Sequence, residues 1–171
     1  MDDSALRDLF SVAYEELRRV AASVRRRDPG GTLNPTALVN EAYVKLAGSL
    51  RLTPESRLHF KRIAARAMRQ VLIEAARRRM ADKRGSEYVF VTFDEDLAGP
   101  IAGAEHLLAL DGALEELVLM NERQAQLVEY RFFGGFDFPE IAQMLDVSRA
   151  TVMRDWRAAK AWLALQLRRS T

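Results

Sequence analysis

Cysteine is absent from the 171-residue chain. This excludes a disulfide framework and a thiolate metal site. Histidine is scarce: His59 and His106 lie far apart, with no companion at ligand spacing. No Gly-rich phosphate loop is present. No apolar run approaches the roughly 20 residues of a membrane-spanning helix. The N-terminal stretch MDDSALRDLF starts acidic and lacks the basic-then-apolar pattern of a signal peptide. These absences are expected of a soluble cytoplasmic protein that carries no metal or other cofactor and performs no covalent chemistry.

What is present is globular in composition, with 49% hydrophobic and 29% charged residues. Leu6, Leu9, Phe10, Ala13, Leu17, Val20, Ala21 and Val24 recur at helical spacing, which predicts a first amphipathic helix capped by Asp3 or Ser4. A second helix is predicted from near Asn34, with Pro35 in its first turn, to about Gly48. A third, capped at Thr53–Pro54, runs to about Lys83 on a stripe of Phe60, Ile63, Ala64, Ala67, Val71 and Ala75. Residues 85–104 lose the helical period and read as a linker holding a short extended piece. Four more helices are predicted over about 105–120, 123–133, 138–145 and 148–168. The expected architecture is all-α: two small helical bundles, 1–84 and 105–171, joined by the linker 85–104.

The net charge of +2 hides a strong pattern. Residues 57–84 carry ten bases against Glu74 and Asp82, residues 85–116 carry eight acids and no base, and residues 147–171 carry six bases against Asp155. A basic–acidic–basic chain places two basic surfaces in two bundles, the electrostatic footprint of a phosphate backbone.

In EIAQMLDVSRATVMRDWR, residues 140–157, the second basic surface takes a specific form. On a helical wheel Val152, Trp156, Ala159 and Leu163 share one side, while Arg154 and Arg157 lie opposite with Ala150 between them. Ile141, Ala142 and Leu145 form the apolar face of the preceding short helix. Two short helices, a tight turn and a small residue at 142 make a helix-turn-helix pattern. Asp146 stands where the turn usually has Gly; Asp tolerates a left-handed backbone better than most residues. Ser148 occupies the N-cap, and Arg149 and Thr151 belong to the first turn of the helix that would enter a major groove. Unpaired arginines on that helix would find guanine edges and phosphates as partners. The plain alternative is a helical hairpin with a solvated basic face.

The third helix has a second stripe: Arg62, Arg66, Arg69, Gln70 and Arg77 share a face with Ile73 among them. A merely solvated face would mix in acids at i+4, and this one does not. Two basic faces suggest one ligand spanning both, duplex DNA. Phe60 and Tyr43 are candidate platforms for stacked bases, although Phe60, like Trp156 and Trp162, reads more simply as core. His59 and His106 read as surface residues.

The stretch NERQAQLVEYRFFGGFDFPEIAQMLDVSRATVMRDWRAAKAWL resembles region 4 of sigma factors, and TALVNEAYVKL followed by HFKRIAARAMRQVLIEAARRR resembles region 2. With so short a linker between them, the chain is similar to extracytoplasmic-function (ECF) sigma factors over nearly its whole length. The resemblance implies that region 2 binds the β′ clamp of core RNA polymerase and melts the −10 element of promoter DNA. Region 4 would bind the β flap and read the −35 element. It places Leu38, Val39, Glu41 and Tyr43 on the polymerase-facing helix and the Arg62 stripe at the −10 element. Ser148, Arg149, Thr151, Arg154 and Arg157 fall on the −35 helix. The loop 48–57 falls where the family holds a flipped base.

Members of the family commonly carry an acidic pair before the L-V-x-E core of the polymerase-facing helix. Here Thr36 and Ala37 occupy those places. Thr36 is therefore a candidate phosphorylation site, and the controlling partner implied is an anti-sigma protein or a Ser/Thr kinase. Three other readings remain open on the residues alone. These are a helix-turn-helix regulator acting without polymerase, an enzyme using the carboxylates at 94–96, and an all-α adaptor binding only protein.

Overall fold

The computed structural model describes residues 35–48, 57–81, 90–91 and 101–169, together with Ser4, Arg7, Asp8, Ser11, Tyr14 and Arg18. Those six early positions are all helical, in line with the first expected helix. Helix α1 spans Pro35–Gly48 and α2 spans Arg57–Ala81. A two-residue strand β1, Phe90–Val91, pairs antiparallel with β2, Ile101–Ala102. Helices α3 (Gly103–Met120), α4 (Glu122–Phe132), α5 (Phe138–Leu145) and α6 (Arg149–Arg169) follow. The fold is all-α, and among the described residues this minimal ladder is the extended structure in the stretch where an extended piece was expected. The Thr53–Pro54 cap, most of the loop 48–57 and the carboxylates Asp94, Glu95 and Asp96 lie outside the described residues.

The helix boundaries follow local chemistry. Pro35 opens α1, where its missing N–H costs no hydrogen bond. Asn121 separates α3 from α4, and its side chain accepts from the Gln124 N–H at 3.1 Å. Asp137 and Glu140 form a reciprocal capping box at the start of α5. The α4–α5 turn needs both glycines: Gly135 has φ 67°. A Cβ on Gly134 would sit 2.5 Å from the Phe136 ring and 2.6 Å from the Tyr130 carbonyl oxygen.

Helix α2 is the centre of the molecule. It packs against α1 on one side and against α3, α4 and α5 on the other. Its expected stripe is buried at Phe60, Ala64, Ala67, Val71 and Ala75, with Ile63 half-buried. Ala65, Met68, Leu72, Ile73 and Ala76 are buried as well, because α2 is covered on two faces rather than one. One apolar core therefore runs from Val39 and Ala42 in α1, through α2, to Leu110, Leu114, Leu127, Phe132, Ile141 and Trp156. Full burial of each large side chain contributes about 1.5–3 kcal/mol. In α6, Val152, Trp156, Ala159 and Leu163 are buried as the wheel requires. In α5 the buried set is Ile141, Ala142 and Met144; Leu145, expected inside, is half-buried.

Candidate nucleic-acid interface

The turn between α5 and α6 is closed by backbone hydrogen bonds. Asp146 is left-handed, with φ 53° and ψ 49°. This aims the Val147 N–H at the Ala142 carbonyl, 3.0 Å away, and the Asp146 N–H at the Gln143 carbonyl, 3.3 Å away. Such a pattern satisfies the last carbonyls of α5 and turns the chain sharply. Ser148 then caps α6, its hydroxyl accepting from the Thr151 N–H at 3.1 Å. Thr151 is half-buried, and its own hydroxyl lies 3.0 Å from that of Ser148. The pair thus fixes the first turn of α6.

Arg149, Arg154 and Arg157 project from α6 into solvent. The acid next to them, Asp155, faces inward and is 4% exposed. It accepts from Arg123 Nε in α4 at 2.7 Å and reaches Arg154 only at 3.9 Å. Among the described residues Arg149 and Arg157 have no carboxylate partner. The second helix of a helix-turn-helix thus presents a row of arginine charges, locked to α4 from behind by Asp155.

The α2 stripe is arranged differently. Arg62, Ile63, Arg66, Arg69, Gln70, Ile73 and Arg77 line one wall of a cleft of about 600 Å³. Asp111, Glu115, Glu122, Glu129 and Tyr130, from α3 and α4, line the other. Arg62, Arg66, Gln70 and Arg77 are exposed, and Glu74 of α2 lines the same cleft; Arg69 is the stripe residue that meets acids across it. Arg69 is the junction: its Nε donates to Asp111 Oδ1 at 2.8 Å and its Nη1 to Glu129 Oε2 at 2.7 Å. Its Nη2 also reaches the Asp111 carbonyl at 3.3 Å. Burial alone would lower the Arg69 pKa. The hydrogen bonds to Glu129 and Asp111, with their charges, outweigh that and hold it above its ordinary value. Tyr130 is pushed up by burial, against the lowering effect of Arg62.

A second tie lies about two turns earlier in α2. Lys61, 5% exposed, donates to Glu140 Oε1 at 2.6 Å, and its ammonium lies 4.9 Å from the centre of the Phe136 ring. Glu140 is the same residue that closes the α5 capping box.

On α1, Glu41 is exposed and Tyr43 half-buried, whereas Val39 is wholly buried against α2. Val39 thus supports the helix from within. The side chains of Leu38 and Thr36 lie outside the described residues, although both positions are helical. Glu41 lies 3.7 Å from Arg78, and Lys45 pairs with Glu74 at 2.7 Å. Phe60 is core, and Trp156 is core beside Phe138. His59 and His106, expected on the surface, are half-buried. Among the described residues no group of three or more potential ligands could hold a metal ion, and no helix is long and apolar enough to cross a membrane.

Lys61, Asp111, Glu129, Glu140 and the Arg123–Asp155 pair were not singled out by the sequence reasoning. The available signal was the charge complementarity between 57–84 and the acidic stretch that contains Asp111. Which acid meets which base depends on contacts 32 to 79 residues apart.

Neither the curated proteins nor the solved structures return a match to the chain. The family model described as ECF sigma factor matches residues 1–169. A helix-turn-helix at one end, a basic helix at the other and a family match from end to end agree: the chain belongs to the ECF sigma factors, non-catalytic initiation factors that bind core RNA polymerase and promoter DNA.

Proposed function

We propose that this chain directs initiation by reading the −35 element through α6 and the −10 element through the Arg62–Arg77 stripe of α2. The observation that carries the reading is the capped start of α6 with three exposed arginines and its only acid turned inward. Arg149, Arg154 and Arg157, with Ser148 and Thr151 fixing the first turn, are the contacts to base edges and phosphates. Arg62, Arg66, Arg69, Gln70 and Arg77 hold the strand exposed on melting. Unpairing costs a few kcal/mol, repaid by stacking, backbone and polymerase contacts. Leu38, Glu41 and Tyr43 of α1 face the polymerase clamp, with Val39 supporting them. Run-off transcription with core polymerase tests the assignment. Arg154→Ala should cost about 1–3 kcal/mol at one base position of the −35 element if its contact is bidentate. An equal loss on every promoter variant would make Arg154 a phosphate contact, and no loss would remove α6 from the −35 element.

The first turn of α1 contains no acid, so the positive end of its dipole is unopposed by an acidic side chain there. Phosphorylation of Thr36 would add about −1.5 to −2 charge at that end. It would restore the acidity that a basic clamp surface needs, and a Ser/Thr kinase would then be the controlling partner. The phosphorylated protein should bind core polymerase more tightly than Thr36→Ala. Equal binding would dismiss the switch and leave control to another partner, such as an anti-sigma protein.

A further inference from the structure

The cleft lined by α2, α3 and α4 contains a polar group that the rest of the chain leaves unsatisfied. Tyr130 is 6% exposed and lines the cleft, and its hydroxyl has no hydrogen-bond partner among the described residues. A buried tyrosine hydroxyl ordinarily finds one. Burial holds its pKa up, so at neutral pH the phenol keeps its proton and can donate it. Arg62 and Arg66, one turn apart on α2, are the cations whose charges reach it. The charged groups of the cleft differ in how far they are engaged. Arg69 is held by Asp111 and Glu129, and Glu74 by Lys45. Arg62, Arg66 and Arg77 have no carboxylate partner among the described residues, and Glu115 and Glu122 have no basic one. All five are exposed. Ile63, Ile73, Val118 and Ala125 add apolar surface to the lining. The volume, about 600 Å³, is that of a small-molecule site.

We propose that this cleft is a nucleotide site, in which Tyr130, Arg62 and Arg66 take the diphosphate of a guanine nucleotide and Glu115 or Glu122 takes its base. A phosphate needs hydrogen-bond donors and cations together, and a phenol hydroxyl with two guanidiniums supplies both. The base needs acceptors. Guanine presents two neighbouring donors, N1–H and the 2-amino group, to the two oxygens of one carboxylate, whereas adenine presents its 6-amino group alone. The apolar surface of the lining suits a flat ring. The site shares Arg62 and Arg66 with the proposed −10 stripe but does not rest on that assignment, since Tyr130, Glu115 and Glu122 belong to α3 and α4. The same phosphate chemistry could be offered by the promoter strand, and the experiment separates the two sources.

The test is isothermal titration calorimetry of the full chain with GDP, ADP and inorganic pyrophosphate. GDP should bind about tenfold more tightly than ADP, the effect of one added hydrogen bond to a carboxylate. Equal binding of all three would leave a general anion sink and overturn the nucleotide reading, as would no binding of GDP at millimolar concentration. Tyr130→Phe removes the hydroxyl alone. It should weaken GDP and pyrophosphate about tenfold each, and leave the melting temperature unchanged or raised, because no partner within the protein is lost. A fall in melting temperature would reveal a structural partner for the hydroxyl and overturn the site; so would unchanged GDP binding. Glu115→Gln with Glu122→Gln should bring GDP down to the level of ADP, with pyrophosphate bound as before or more tightly. A GDP preference that survives this change would overturn the seating of the base. Finally, Tyr130→Phe should leave binding to single-stranded −10 DNA within about twofold of the parent. A loss there as large as the loss on GDP would assign the phosphate to the promoter strand and overturn the small-molecule site.

Discussion

Asp146 shows how far one backbone dihedral shapes this protein. Its φ of 53° is the one positive value at a non-glycine residue among the described residues, and the path from α5 into α6 depends on it. Replacement by Gly should leave stability unchanged or raise it by about 0.5 kcal/mol, since Gly enters the left-handed region without steric cost. Asp146→Val should lower stability by about 1–2 kcal/mol, because a β-branched side chain is poorly tolerated there. Urea unfolding of both variants distinguishes them, and equal stabilities would mean that the turn has relaxed to another geometry. The residue was legible in the sequence because the motif fixes where the turn must fall. Arg69 was legible only in part. Its membership of a basic stripe follows from helical spacing, but its burial between Asp111 and Glu129 depends on two helices that no local pattern connects to it.

At the scale of the element, α6 is specified twice, once by its buried side and once by its cap. The wheel places Val152, Trp156, Ala159 and Leu163 together, and all four are buried. Ser148 supplies the acceptor for the Thr151 N–H. Ser148→Ala should therefore cost about 1 kcal/mol and Ser148→Gly only a few tenths, the signature of an N-cap. Thermal unfolding measures both, and −35 binding should weaken in the same order as the first turn frays. Helix α2 was harder to read. Its sequence shows one apolar stripe, yet Met68, Leu72, Ile73 and Ala76 are also buried. The arginines beside them hid a second packing face, because a stripe that meets acids from elsewhere in the chain looks, in sequence, like one that meets none.

At the scale of the whole molecule, helix content and helix order follow from the sequence, while the arrangement of the halves does not. The 3.6-residue period is a local property, whereas α2 meeting α3, α4 and α5 is decided by charge pairs across the cleft and by a shared core. Glu140 carries a consequence of that arrangement. One carboxylate accepts the Asp137 N–H at 3.0 Å to start the first helix of the DNA-reading motif, and the same group holds Lys61 at 2.6 Å. Order at the entrance of α5 and docking of α2 therefore draw on a single side chain. Linkage makes such a coupling reciprocal. On the proposed assignment of α6 to the −35 element, a ligand that tightens the entrance of α5 would alter the hold on Lys61 by the same free energy with which release of Lys61 alters the grip on that ligand. On that assignment, the two promoter-facing helices would sense one another through one carboxylate of the protein.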